Sequence, residues 1–93
     1  MAIDMDHEAR MLQNLLTERG FTHLHVVRRG KALTIASGDK TNPEPEIRLT
    51  HLTRANWRLD LRHHSGRWDQ TPFAGDMTSM VDGAADMGRL VPV

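Results

Sequence analysis

The sequence has no cysteine and no tyrosine, and its aromatic residues are two tryptophans and two phenylalanines. Without cysteine there can be no disulfides and no thiolate metal sites, which suits a reducing compartment. No apolar run approaches the ~20 residues that carry a helix across a bilayer. The first ten residues carry acids where a secretory leader would carry bases ahead of an apolar stretch. A cytoplasmic protein without membrane contact is the expectation. Net charge is zero, from 12 bases and 12 acids. That balance argues against strong association with bulk duplex DNA, since such binding scales with the phosphates neutralised. Catalytic motifs are missing as well: there is no G-x-S-x-G and no H-E-x-x-H. Gly38-Asp39-Lys40-Thr41 ends like a P-loop but lacks the first glycine at the required spacing. No cofactor is expected, and the chain reads as non-enzymatic.

What remains is an ordinary globular composition, 39% hydrophobic and 26% charged, in 93 residues. That length predicts a single α+β domain over residues 1–93. Met5, Ala9, Leu12 and Leu16 recur at helical spacing, with Asp4 or Asp6 as cap and Gly20 as stop, predicting a helix over 5–19. Alternating apolar residues predict strands over 22–28, 32–36 and 46–52. The intervening stretch 37–45, rich in turn formers and holding Pro43 and Pro45, reads as an exposed loop. Residues 56–73 read as a hairpin. Taking Ser65-Gly66 as a two-residue turn sets His63 opposite Trp68, and Arg62 opposite Asp69 as a cross-strand ion pair. In that register Trp57, Leu59, Leu61 and Trp68 all look inward. Pro72 is expected to end the sheet. Asp76 caps a second helix with Met77, Met80, Val81, Ala84 and Met87 on its buried stripe, and Gly88 closes it. The tail 89–93 reads as extended. The architecture predicted is a two-layer sandwich, helix, mostly antiparallel four- to five-stranded sheet, helix, with both helices on one sheet face.

Charge is uneven along the chain. Residues 21–73 carry nine bases against five acids, and the remainder carries three against seven. Arg48, Arg58, Arg62 and Arg67 are expected on the open sheet face, where guanidinium forks suit phosphate or carboxylate oxygens. The plainer alternative is a solvated face whose arginines pair with Asp60 and Asp69. With both tryptophans inward, no aromatic is left on that face to stack a base, which counts against nucleic acid. Among six histidines, His23 and His25 point the same way on one strand, and His64 is a conceivable third metal ligand. Ser65 beside His63 and His64 is the nearest approach to a nucleophile and base, on an exposed turn.

The segment H-S-G-R-W-D-Q-T-P-F-A-G, followed by an amphipathic helix, resembles a pattern in small uncharacterised prokaryotic proteins. The resemblance covers residues 63–87, implies a prokaryotic source, and brings no activity with it. The expected function is a binding module acting through a protein partner or as a homodimer, by pairing of sheet edges. A weak nucleic-acid or anion binder using the four arginines is the alternative, and a small metal-dependent enzyme using the histidines comes third.

Overall fold

The computed structural model describes residues 3–39 and 41–91; Lys40, and Pro92 and Val93 of the expected extended tail, lie outside the described residues. Helix α1 (Met5–Glu18) starts where Asp4 Oδ1 accepts the free N–H groups of Asp6 and His7 at 3.1 and 3.2 Å. Its exit is set by Gly20 at φ 88°, a conformation costly for residues with a Cβ. Gly20 N–H then reaches Thr17 O, and Phe21 N–H reaches Leu16 O at 2.8 Å. This paired closure turns Phe21 back into the core. Helix α2 (Met77–Asp86) is capped by Asp76, whose Oδ1 accepts from Ser79 N–H at 2.7 Å, and Gly88 and Arg89 close it by the same two-bond pattern.

Between the helices run β1 (His25–Arg29), β2 (Ala32–Asp39), β3 (Asn42–Thr53), β4 (Asn56–Arg62) and β5 (Trp68–Gly75). They form one antiparallel sheet in the order β1-β2-β3-β4-β5, so every strand pairs with its neighbours in the chain. Leu33, Leu49 and Leu59 stand in one cross-strand row, and Ile35, Ile47 and Leu61 in the next. With Trp57 they meet Leu12 and Leu16 of α1 and Met80, Val81 and Ala84 of α2 in a single core. Each fully buried aliphatic side chain contributes roughly 1.5–3 kcal/mol. Helix α1 lies over β1, α2 lies over β4 and β5, and Arg19 and Asp82 link the helices at 3.5 Å. No described helix is long and apolar enough to cross a membrane.

The sheet is longer than the sequence suggests. Strand β1 starts only at His25, because Leu24 N–H turns back to Phe21 O. The stretch expected as a loop over 37–45 instead prolongs the β2–β3 hairpin to its tip, with Ser37 opposite Glu44 and Asp39 opposite Asn42. Pro43 and Pro45 are tolerated there because pairing of β3 with β4 begins only at Ile47, leaving the prolines with a neighbour on one side. Pro72 likewise fails to end the sheet. It sits in an irregularity of edge strand β5, where Thr71 Oγ1 donates to Leu59 O at 2.7 Å and accepts from Phe73 N–H at 3.1 Å.

A candidate anion-binding sheet face

The turn between β4 and β5 decides what the open face carries. His63 N–H donates to Arg67 O at 2.7 Å and Gly66 N–H to His63 O at 2.9 Å, with Gly66 at φ 92°. The loop therefore has three residues, His64, Ser65 and Gly66, with glycine in the left-handed position such loops require. The two-residue turn expected from the sequence is one residue too short. In the actual register Arg62 is opposite Trp68 and Leu61 opposite Asp69. A slip of one residue turns every side chain of the strand to the other face. Trp68 is thus on the open face beside Arg62, not in the core beside Trp57. The expected Arg62–Asp69 pair is replaced by a local contact of Arg67 with Asp69 at 3.3 Å.

Three cross-strand rows make up the face. Arg29, Ala32, Thr50 and Arg58 form one; Val27, Thr34, Arg48, Asp60 and Gln70 form the second. The third has His25, Ala36 and Pro45 on one side and Arg62 and Trp68 on the other. At the centre Asp60 is completely covered. Its Oδ2 accepts from Arg48 Nε at 2.9 Å and Thr50 Oγ1 at 2.8 Å, and its Oδ1 from Arg58 Nε at 2.8 Å. Burial alone would push this carboxyl up, but the hydrogen bonds from Arg58, Thr50 and Arg48 outweigh it and hold the group below the usual carboxylate range. The same bond to Asp60 holds the Arg58 guanidinium above its usual value. Asp60 stays ionised and fixes both arginines in place.

Arg48 also lies over the Trp68 ring, 4.8 Å from its centroid, and Arg62 lies 5.3 Å from it. A guanidinium within ~6 Å of an indole is held by the ring's negative face. Beside this stack a shallow trough of about 370 Å³ runs toward β1. Ala32 and Thr34 floor it, and Arg29, Arg48 and Arg62 stand around it. Arg29 and Arg62 have no acidic partner among the described residues. Four guanidiniums thus face one carboxylate across the open sheet.

Of the four arginines expected on this face, Arg48, Arg58 and Arg62 gather there. Arg67 stands apart in the turn, held to Asp69 on the opposite parity. Sequence reasoning missed Arg29 and Trp68. The signal for Trp68 was present in Gly66, read as the third rather than the second residue of the loop.

The histidines do not converge. His23 precedes β1, His25 lies in β1 at one edge of the sheet, and His64 lies in the turn entering β5 at the other. Among the described residues no three His, Asp or Glu side chains stand together as metal ligands. His63 is committed to its own turn, its Nδ1 taking the Ser65 N–H at 3.1 Å with Ser65 Oγ at 2.7 Å.

Both sheet edges carry obstacles to strand pairing. On β1 the Gln13 side chain takes the place of a neighbouring strand, its Nε2 donating to Leu24 O at 3.0 Å and its Oε1 accepting from Val26 N–H at 3.1 Å. On β5 Pro72 and the irregular register interrupt the ladder. Elsewhere, an apolar groove of about 180 Å³ lies between α2 and β5, lined by Leu59, Phe73, Met80, Gly83 and Met87. Compared with known protein families, curated proteins and solved structures, the chain matches none.

Proposed function

We propose that this protein binds single-stranded nucleic acid on its open sheet face. The observation that carries this reading is Trp68, an aromatic side chain on that face among Arg48, Arg62 and Arg29. Stacking surfaces combined with cationic grooves are how sheets hold unpaired strands, each stacked base contributing roughly 1–3 kcal/mol. A duplex buries its base faces and offers nothing for Trp68 to stack on. The zero net charge is no obstacle, because the field that a ligand meets is that of the face, and there the bases dominate. The test is an NMR titration with a short single-stranded oligonucleotide, following the Trp68 indole N–H. Binding should weaken with salt, with a log–log slope of roughly −0.7 per phosphate contacted. Trp68→Ala and Arg62→Ala should each reduce affinity about tenfold or more. An indole signal that stays fixed at low salt refutes the proposal.

A second reading, association with a protein or a second copy of the chain, is supported by the groove between α2 and β5. There Phe73 is 51% and Met87 42% exposed, unusual for such large apolar side chains side by side. Pairing of sheet edges is the less favoured route for it, given Gln13 and Pro72. Light scattering that finds a monomer at high concentration removes the self-association part.

A further inference from the structure

We infer that the trough between Arg29 and Trp68 is a site for one nucleotide bearing a terminal phosphate monoester, the base at the Trp68 end and the phosphate at the Arg29 end. This rests on the nucleic-acid reading of the same face and gives it a direction and a preferred ligand.

Three observations carry it. First, the trough has a defined extent. Its volume of about 370 Å³ falls at the small end of ligand pockets, ~300–1,000 Å³, the scale of a single nucleotide rather than of a tracking groove. Second, its two ends differ in chemistry. Trp68 and Arg62, on β5 and β4, offer a π-face and a planar cation. Arg29, on β1 across the sheet, offers a guanidinium without an aromatic. Strands lie ~4.8 Å apart, which sets the β1 and β5 backbones roughly 19 Å apart; the long Arg29, Arg62 and Trp68 side chains reach inward to line one trough, so a ligand lying in it can touch both ends. Between the two ends the trough is lined by the short side chains of Ala32 and Thr34. Third, the charge available suits a dianion. Arg48 and Arg58 share Asp60, while Arg29 and Arg62 are uncompensated among the described residues. A terminal phosphate carries about −1.5 to −2 charge near neutral pH, whereas an internal phosphodiester carries one. Base stacking displaces Arg62 from the indole and frees its fork for the ligand, while Arg48 is kept in place by Asp60.

The same chemistry is found in a free nucleotide and at the end of a strand, and the experiment separates them. The Trp68 indole N–H is followed by NMR while the protein is titrated with four probes. These are a single-stranded trinucleotide with a 5′-phosphate, the same trinucleotide with a 5′-hydroxyl, a nucleoside 5′-monophosphate, and inorganic phosphate. The phosphorylated trinucleotide should bind at least ~10-fold more tightly than its hydroxyl form, as charge-assisted hydrogen bonds allow. Arg29→Ala, an exposed substitution at the sheet edge, should weaken the phosphorylated form far more than the hydroxyl form and so abolish that preference. Inorganic phosphate should bind far more weakly than either phosphorylated nucleotide. A monophosphate that equals the phosphorylated trinucleotide identifies a free nucleotide as the ligand; one that is weaker identifies a strand end. Equal affinity for the two trinucleotides overturns the terminal-phosphate inference and leaves single-strand binding standing. Arg29→Ala weakening both trinucleotides equally overturns the placement of the phosphate. Failure of both trinucleotides to bind overturns this inference and the proposed function together.

Discussion

Replacing Asp60 with alanine removes the carboxylate around which two guanidiniums and a hydroxyl are arranged, and its cost can be worked from the structure. The lost contacts are hydrogen bonds of 2.8, 2.8 and 2.9 Å, with a weaker one from Arg58 Nη2 at 3.4 Å. Removing one partner of a buried ion pair typically costs ~3–5 kcal/mol, because the other charge is left desolvated. Here the Arg48 and Arg58 side chains keep 25% and 23% of their exposure, so water can reach them once the carboxylate is gone. The expected loss is therefore at the low end, about 3 kcal/mol. A chain of this length is stable by roughly 5–14 kcal/mol, so the loss is large. At ~4–8 °C per kcal/mol for a domain of this size, Tm should drop by about 12–24 °C. Thermal unfolding followed by circular dichroism at pH 7 measures it directly. A drop smaller than ~4 °C refutes the view that Asp60 organises the face. The pH dependence gives a second check. The folded-state pKa of Asp60 is depressed, so its contribution is present above the unfolded value of ~3.9 and disappears as pH falls through the folded value. The Tm difference between wild type and Asp60→Ala should be constant through neutral pH and narrow below about pH 4. A second variant, Asp60→Leu with Arg48→Met and Arg58→Met, should recover most of the stability while weakening the proposed oligonucleotide binding. That outcome separates the fold from the function.

Other expectations are independent of the Asp60 cage. Gln13→Ala strips two hydrogen bonds from the β1 edge, costing about 1–3 kcal/mol, and should promote self-association detectable by light scattering at high concentration. Trp57→Ala should cost ~3–5 kcal/mol, whereas Trp68→Ala, on the open face, should cost clearly less in urea unfolding. If the two tryptophans cost the same, the three-residue turn and the face assigned to Trp68 are both wrong. Gly66→Ala places a Cβ at φ 92° and should destabilise by about 1–3 kcal/mol. Its signature is lost amide protection in the β4–β5 turn, with α1 unchanged.

Much of the fold was legible because it depends on short-range pattern. Asp4 and Asp76 capped helices as their positions suggested, Gly20 and Gly88 ended them, and the alternation in 32–36, 46–52 and 56–62 placed the core residues. The errors came where a local rule has more than one structural solution. Ser65-Gly66 fits a two-residue turn or the end of a three-residue one, and only the pairing across β4 and β5 chooses between them. Pro43 and Pro45 exclude a central strand but not one that overhangs its neighbour, and the overhang follows from where β4 stops. Asp60 resembled an ordinary surface counter-ion. Its burial depends on Arg48 and Thr50, which stand 12 and 10 residues away in sequence and beside it only through register. Since Trp68 was assigned to the wrong side, the open face looked devoid of aromatics, and the tryptophan that stands among its arginines was hidden.

The strand order, identical in space and in sequence, has a kinetic consequence. Each strand finds its partner through a short hairpin, so the sheet can grow by successive local zipping and needs no large loop closed in advance. Among the described residues, the closure that spans the chain is the meeting of α1 and α2, joined at Arg19 and Asp82. Fast folding for a β-rich domain is the expected result, with a transition state polarised toward the central hairpins and the two helices docking late. Substitutions in α1 or α2 should then speed unfolding and leave the folding rate almost unchanged, while those in β3 and β4 should slow folding.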